Sequence, residues 1–179
     1  MKKRHDSKYL KWAEGFRLIF LTASRHESEI SVMREIFSAL KTTVENFDCV
    51  KAIYPARLNP QLEKAAQKIF GGEKRIKIID PSDVESLHNI IAEAYLIITD
   101  DKETLNEAVY FGIPALVLGN ASEYQEGETA SPVGFVGLKE RDIYKAAKTL
   151  LLNKGEYEKI RKAMRLARKQ EKNKKKELK

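Results

Sequence analysis

The sequence is poor in the residues that build disulfide frameworks, metal centres and membrane spans. Its 179 residues contain one cysteine, Cys49, and three histidines, no two of which have the spacing of a metal-ligand pair. A disulfide framework and a zinc site of the usual spacing are therefore excluded, and a reducing compartment is permitted. No apolar run reaches the roughly 18 residues of a transmembrane helix, and no apolar segment follows the basic residues 1–4. We expect a cytoplasmic protein without a metal or other cofactor.

Glycine-rich phosphate motifs are missing as well. No Gly-x-Gly-x-x-Gly follows the first apolar run, and no P-loop sequence occurs in the chain. The pair Gly71 and Gly72 falls where a predicted helix gives way to a strand, which is typical of a turn. The chain therefore carries neither of these two self-sufficient nucleotide-binding motifs.

Positive charge is concentrated at the C-terminal end, although the whole chain has a formal net charge of +7. Residues 154–179 contain twelve Lys or Arg and four Glu, whereas the preceding residues contain 21 basic and 22 acidic side chains. Such a tail could contact nucleic acid or an anionic membrane, or it could be a solvated helix that frays. It has no aromatic residue beyond Tyr157 and no apolar face for a membrane. We favour the solvated helix and expect no nucleic-acid partner and no membrane span.

Short apolar runs alternate with segments in which apolar residues recur at helical spacing. The runs predict strands at residues 18–21, 50–54, 76–79, 96–99, 114–118 and 133–136. The last two helices are predicted at 140–152 and 156–172, separated by Gly155. The predicted helix ends are Ser28 and Asp83 as N-caps, Pro60 in a first turn and Gly112 as a C-cap.

Strands that alternate with helices imply βαβ units and a parallel sheet. We predict an α/β, Rossmann-like, doubly wound domain over residues 16–153, with a mainly parallel sheet of about six strands. A basic lead-in with a short helix, residues 1–15, precedes the domain, and a basic C-terminal helix or tail, residues 154–179, follows it. Ligands of this fold bind at the carboxyl ends of the strands. The loops to examine are 22–28, 55–60, 80–83, 100–103 and 119–128.

These loops hold few residues with an obvious chemical role. Asp100 and Asp101 follow a buried strand, where α/β enzymes often place reactive carboxylates, but one of them could equally cap the next helix. His88 lies on a predicted helix, where a surface or hydrogen-bonded structural role is favoured over acid–base chemistry. Composition and spacing thus predict a polar cleft without a defined reaction.

Several loop sequences form a series that resembles one family. Residues 22–28 are Thr-Ala-Ser-Arg-His-Glu-Ser, residues 54–60 are Tyr-Pro-Ala-Arg-Leu-Asn-Pro, and residues 112–118 are Gly-Ile-Pro-Ala-Leu-Val-Leu. They resemble Thr-Ala-His-Arg-Arg-Glu-Asn, Tyr-Pro-Val-His-Leu-Asn-Pro and Gly-x-Pro-Val-Leu-Val-Leu of the non-hydrolysing UDP-N-acetylglucosamine 2-epimerases. Thr99-Asp100 and Glu107-Ala108 resemble the two ends of that family's Thr-Asp-Ser-Gly-Gly to Glu-Glu-Ala segment. The resemblance covers roughly residues 8–165 and the C-terminal half of the family.

The resemblance implies a single half of a GT-B architecture, in which two Rossmann-like domains enclose the active site. In that family UDP sits mainly on the C-terminal domain, and the other domain supplies carboxylates for epimerisation at C2 of the sugar. The resemblance implies that Glu107 contacts the ribose. The nucleotide-sugar-binding residues that it implies are Arg25, Arg57, His88, Asp101, Lys102, Glu103 and Glu107.

The departures from the family pattern fall on the positions that do the chemistry. Arg57 stands where the family has a histidine, and an arginine stays protonated and cannot act as a general base near neutral pH. Ser24 replaces the histidine of the first loop. Residues 101–103 are Asp-Lys-Glu in place of Ser-Gly-Gly, which puts side chains and negative charge beside a diphosphate. No residue is therefore assigned as catalytic.

Two functions follow from the resemblance. We favour a degenerate epimerase-like domain that is inactive alone, binds a full-length epimerase, a separate N-terminal domain or a second copy, and binds UDP or a UDP-sugar weakly. The alternative is a split epimerase half that interconverts UDP-GlcNAc and UDP-ManNAc when it is complemented.

Overall fold

A computed structural model describes residues 8–56, 59–80, 84–120 and 134–177 of the chain. The strands are β1 Arg17–Thr22, β2 Val50–Pro55, β3 Ile76–Ile79, β4 Leu96–Thr99, β5 Ala115–Leu118 and β6 Phe135–Val136. The helices are α1 Lys8–Ala13, α2 Ile30–Asn46, α3 Pro60–Phe70, α4 Val84–Ala92, α5 Lys102–Phe111, α6 Glu140–Leu152 and α7 Lys154–Glu177. Each predicted strand is therefore present within about two residues of its expected bounds.

The six strands form one sheet in the order β3-β2-β1-β4-β5-β6, and every neighbouring pair is parallel. The chain runs outward from β1 to β3 and then returns to the other side of β1 with β4. Thr22 and Thr99 are paired at the carboxyl ends of β1 and β4. This confirms the Rossmann-like, doubly wound fold and places its topological switch point between β1 and β4.

Helices cover both faces of the sheet, which explains why the strands are mostly apolar rather than alternating. On one face α2, α3 and α6 enclose a buried cluster centred on Phe37, whose ring packs edge-on against Tyr54 at 4.9 Å and Phe70 at 5.3 Å between centroids. On the other face α1, α4, α5 and α7 enclose a second cluster that includes Phe20 and Met164. The two cores hold the strand ends in fixed positions.

Helix ends show which local predictions are correct. Pro60 begins α3, and Asn59 caps it by accepting hydrogen bonds from the next two free amides. Gly112 ends α5 in the left-handed conformation at φ 69°, which a side chain would strain. The prediction that Ser28 caps α2 is wrong, because a turn extends through that residue and Glu29 precedes the helix without a side-chain cap. The predicted cap Asp83 lies outside the described residues.

The boundary between the last two helices also differs from the prediction. Gly155 lies inside α7, and Asn153 separates the helices instead. The Asn153 Oδ1 accepts a hydrogen bond from the main-chain N of Glu156 at 3.1 Å, and its carbonyl accepts one from Tyr157 N at 3.0 Å. An asparagine that caps a helix start therefore replaces the glycine break that the sequence pattern indicated.

Two stacked tyrosines anchor α7 to the sheet. The rings of Tyr95, just before β4, and Tyr157 lie 4.2 Å apart, and the Tyr157 hydroxyl donates to the Tyr95 carbonyl at 2.9 Å. The Arg17 guanidinium lies 4.9 Å from the Tyr95 ring and donates to the Leu151 carbonyl at 2.7 Å. The start of α7 is thus fixed to the amino-terminal edge of the sheet.

Burial, and secondarily the neighbouring Tyr95, raises the pKa of Tyr157 to about 12. A phenol is neutral when protonated, so the raised pKa stabilises the fold below the ordinary value near 10, and this stabilisation is lost as the pH rises towards 12. Tyr157→Phe should therefore flatten the pH dependence of the unfolding free energy between pH 9 and pH 11, measured in urea. Tyr144→Phe is the matched control, and an equal flattening there would refute the assignment to Tyr157.

Candidate functional site

A buried aspartate joins the loops that follow β1 and β4. Asp100 is 1% exposed, and its Oδ2 accepts hydrogen bonds from the main-chain N atoms of Arg25 at 3.0 Å and His26 at 3.2 Å. The same oxygen lies 2.8 Å from His26 Nδ1, which carries the proton because a carboxylate only accepts. The histidine is itself buried. Asp100 therefore holds the β1–α2 loop against the end of β4 at the switch point.

The next residue, Asp101, caps α5. Its Oδ2 accepts hydrogen bonds from Thr104 N at 2.9 Å and Thr104 Oγ1 at 2.7 Å. Its own main-chain N donates to Thr99 Oγ1 at 2.9 Å, and that hydroxyl lies 2.7 Å from Thr22 Oγ1 on the neighbouring strand. The helix N-terminus, which attracts anions, therefore already faces a carboxylate of the chain itself.

The first turn of α5 projects further charge into the same region. Lys102 and Glu103 are both exposed at the start of the helix. Arg25 is also exposed, while its main chain is tied to Asp100. The structure thus brings Arg25, Asp101, Lys102 and Glu103 to one edge of the sheet through the loops of two adjacent strands.

A second polar pair lies between α4 and α5. His88 Nδ1 lies 2.8 Å from Glu107 Oε2, and both side chains are partly exposed. The His88 ring packs edge-on against Phe111 of α5, with centroids 4.9 Å apart. His88 is therefore a hydrogen-bonded helix residue that contacts both Glu107 and Phe111 of α5.

Some predicted site residues fall outside the described ranges. Arg57 and the segment 121–133, which includes most of the predicted loop 119–128, are outside them. Within the described residues, no group of three or more His, Cys, Asp or Glu side chains could hold a metal ion. Among the described helices, none has the length and apolar character to cross a membrane.

A shallow cleft of about 430 Å³ lies elsewhere, lined by residues of α2 and the start of α6. There Glu35 accepts hydrogen bonds from Glu140 N at 2.9 Å and Lys139 Nζ at 3.2 Å. Donation by the Glu140 amide, and next by Lys139, holds the pKa of Glu35 below its usual value. Glu35 therefore caps the start of α6, which gives the polar groups at this cleft a structural role. The candidate functional site is the switch point rather than this cleft.

The His26–Asp100 contact is the site feature that sequence reasoning missed. Asp100 was noted because it follows a buried strand, but His26 lies 74 positions earlier along the chain and shares no motif with it. The strand order could have indicated this contact, because β1 and β4 are neighbours at the switch point and the loops that follow them lie close together. A titratable side chain in each loop therefore predicts a contact once the strand order is known.

Comparison with known proteins identifies the kind of domain. The sequence model of a family described as UDP-N-acetylglucosamine 2-epimerase matches residues 1–169. The chain is 37% identical over 147 residues to the UDP-N-acetylglucosamine 2-epimerase of Bacillus subtilis, covering 82% of this chain and 39% of that protein. It is 36% identical over 148 residues to a Thermotoga maritima protein of similar description, covering 83% of this chain and 39% of that protein.

Solved structures agree with the sequence matches. A protein from Listeria monocytogenes described as a UDP-N-acetylglucosamine 2-epimerase superposes with a TM-score of 0.82 and 33% identity, covering 91% of this chain and 44% of that one. The S. aureus MnaA structure with UDP also gives 0.82, with 31% identity over 91% of this chain and 45% of that one. The chain thus spans about two fifths of the length of the curated relatives it matches.

Proposed function

Because this chain belongs to the UDP-N-acetylglucosamine 2-epimerase family, we propose that it binds UDP or a UDP-sugar weakly at the switch point and does not catalyse epimerisation alone. The observation that carries the proposal is the contrast between two parts of one helix. At mid-helix, Glu107 of α5 is held by His88 and accessible to solvent, whereas the N-terminus of the helix is occupied by Asp101. The first arrangement favours nucleoside binding, and the second opposes diphosphate binding.

The nucleoside end has the groups that a ribose needs. A carboxylate accepts hydrogen bonds from two neighbouring hydroxyls, and Glu107 has an exposed fraction of 34% that leaves it accessible. The contact with His88 at 2.8 Å restricts its rotamers before a ligand arrives. The solved S. aureus relative holds UDP. These features support ribose recognition by Glu107.

The phosphate end is modified in charge and in shape. Asp101 at the N-cap and Glu103 in the first turn place two carboxylates at the start of α5, and Lys102 supplies one compensating charge. A diphosphate at the same place would be repelled by both carboxylates. The side chains of Lys102 and Glu103 also stand where glycine would let a phosphate approach the main-chain N–H groups. We therefore propose weak, nucleoside-dominated binding.

The chemistry of epimerisation lacks a proton acceptor at the position where the family has one. Arg57 occupies it, and a guanidinium stays protonated at any pH at which the protein is folded. His26 is buried and donates to Asp100, so it is committed to holding the loop. We propose that the chain acts through binding, with an epimerase-type chain or an N-terminal-type domain as its protein partner.

A second function has its own support. Arg25, His88 and Glu107 match the family pattern, so a complementing N-terminal domain could supply the missing carboxylates and complete a split epimerase. The two functions are separated by mixing this chain with an isolated N-terminal domain of a relative. Complex formation without conversion of UDP-GlcNAc to UDP-ManNAc supports the binding role, conversion establishes the split enzyme, and the absence of any complex rejects both partner proposals.

Calorimetric titration tests the nucleotide site directly. We expect UDP and UDP-GlcNAc to bind the natural chain with dissociation constants of about 1 mM, which corresponds to about 4 kcal/mol. Glu107→Ala should weaken UDP binding at least fivefold, because the ribose hydroxyls lose their charged acceptor. Glu93→Ala removes one exposed carboxylate from the turn before β4 and should leave binding unchanged. Equal affinity of the Glu107→Ala and natural proteins would overturn the placement of the ribose.

A further inference from the structure

The middle of α7 presents a face that is rich in positive charge. Lys162, Arg165 and Lys169 are exposed, and their spacing of three and four residues places them on one side of the helix. Between Lys162 and Gln170 the chain contains four basic residues and no acidic one. The face extends over about 10 Å of helix, at 1.5 Å per residue.

Among the described side chains of α7, the ion pairs with acidic residues lie at the start of the helix. Glu158 lies 3.2 Å from Arg161, and Glu156 lies 4.0 Å from Lys159. The next acidic residue along the chain is Glu171. Two ion pairs therefore offset most of the positive charge in the first two turns of α7, whereas Arg165, Arg168 and Lys169 have no acidic residue within one helical turn on their N-terminal side.

The fold adds aromatic surface beside this face. Tyr110 of α5 is 50% exposed, and the Arg168 guanidinium lies 4.4 Å from the centre of its ring. Phe111 continues the aromatic surface, with its ring centroid 5.0 Å from that of Tyr110. Leu166 of α7 is also exposed. The tail sequence lacks aromatic residues after Tyr157, so this juxtaposition arises only when α7 packs on α5.

These features fit a sugar-phosphate backbone with unpaired bases better than a membrane. Phosphates are neutralised by Lys and Arg regardless of sequence, and exposed aromatic rings or guanidinium planes stack on bases. A membrane-surface helix instead needs a continuous apolar face opposite its charges. On α7 the apolar positions centre on Met164, which is fully buried against the domain. That face is already used for packing.

We propose that α7 and Tyr110 form a binding surface for single-stranded nucleic acid. Lys162, Arg165 and Lys169 contact phosphates, Arg168 is held in place by Tyr110, and the exposed part of the tyrosine ring offers a stacking platform. The surface adjoins the ribose end of the proposed nucleotide site, because Tyr110 lies one helical turn beyond Glu107 on α5. The proposal rests on the α7 charges and Tyr110, none of which the nucleotide proposal uses.

Fluorescence anisotropy with a labelled 20-nucleotide oligouridylate tests the surface with the full chain. Neutralisation of three phosphates predicts a slope of log affinity against log salt of about −2.1, or about 18-fold weaker binding at 200 mM than at 50 mM KCl. The triple variant Lys162→Gln, Arg165→Gln, Lys169→Gln should bind at least tenfold more weakly at 50 mM KCl. Its slope should be shallower by about 2, and glutamine preserves the helix propensity.

Matched controls separate this surface from net charge. Lys64→Gln, Lys68→Gln, Lys74→Gln removes three exposed charges from α3 and the turn after it, on the opposite face of the sheet, and should leave affinity within twofold. Tyr110→Ala should weaken binding at least fivefold with little change of slope, and Tyr110→Phe should restore it. Absence of RNA binding at 50 mM KCl would overturn the proposal. So would equal losses in the two triple variants, or binding only to vesicles containing 30% phosphatidylserine.

Discussion

Replacement of Asp100 by alanine is expected to lower the free energy of unfolding by about 3–5 kcal/mol, which is comparable to the loss of one partner of a buried ion pair. Asp100 is 1% exposed and accepts from two main-chain N atoms and from His26 Nδ1. Alanine would leave these donors without their acceptor and would leave a cavity beside the buried histidine. For a domain of this size, the melting temperature should fall by about 6–20 °C.

Urea unfolding, followed by circular dichroism at constant pH, measures the effect. Asp100→Asn keeps one accepting oxygen and the side-chain volume, so it should cost clearly less than alanine. Asp101→Ala provides the matched control in the adjacent residue, because it removes an N-cap from a partly exposed helix end and should cost about 1 kcal/mol. If the Asp100→Ala and Asp101→Ala losses were equal, Asp100 would not be the residue that holds the two loops together.

The central strands could be predicted from sequence because they are buried on both sides. All four positions of Leu96–Thr99 are buried, and the run Leu-Ile-Ile that begins the segment is apolar without alternation. The end of α5 at Gly112 was predictable for a similarly local reason, since the left-handed conformation there favours glycine. The right-handed crossover rule then restricts how parallel strands of this kind can be connected.

Features that depend on packing between distant segments could not be predicted in the same way. Gly155 had the composition of a helix break, but Asn153 caps α7, and the contacts of Tyr157 with Tyr95 hold the first turn against the sheet. Tertiary contacts thus overrode the unfavourable helix propensity of glycine. Tyr110 and Arg168 meet across 58 positions of sequence, which no local pattern specifies.

The candidate site could be predicted from the sequence only in part. The family resemblance identified Asp101 and Glu107 by their motif positions, and the fold brings their helix to the switch point. Motif comparison could not show that the Asp101 carboxylate accepts hydrogen bonds from the amide and the hydroxyl of Thr104. This self-capping explains physically why a departure from serine at this position affects anion binding, because the helix end gains a fixed negative charge rather than only a larger side chain.

Restoration of the family sequence at the start of α5 should increase affinity for UDP by about 100-fold, or about 2.7 kcal/mol. The variant is Asp101→Ser, Lys102→Gly, Glu103→Gly. Serine is also a good N-cap, so it preserves the Thr104 contact without the charge. Removal of the two carboxylates should relieve about 1–1.5 kcal/mol of repulsion each, and the glycines open the first amides of the helix to a phosphate.

Two further variants and two smaller ligands identify the cause of any gain. Asp101→Asn keeps the cap and the shape while it removes one charge, so it should recover about tenfold in affinity. Lys102→Ala, Glu103→Ala removes charge without the helix-destabilising glycines, and thermal unfolding of each variant records the cost of glycine. UMP, with one phosphate fewer, should gain much less than UDP, because the relieved repulsion acts on the diphosphate. An equal gain for uridine, or no gain for UDP in the triple variant, would show that the start of α5 does not face the diphosphate in this protein.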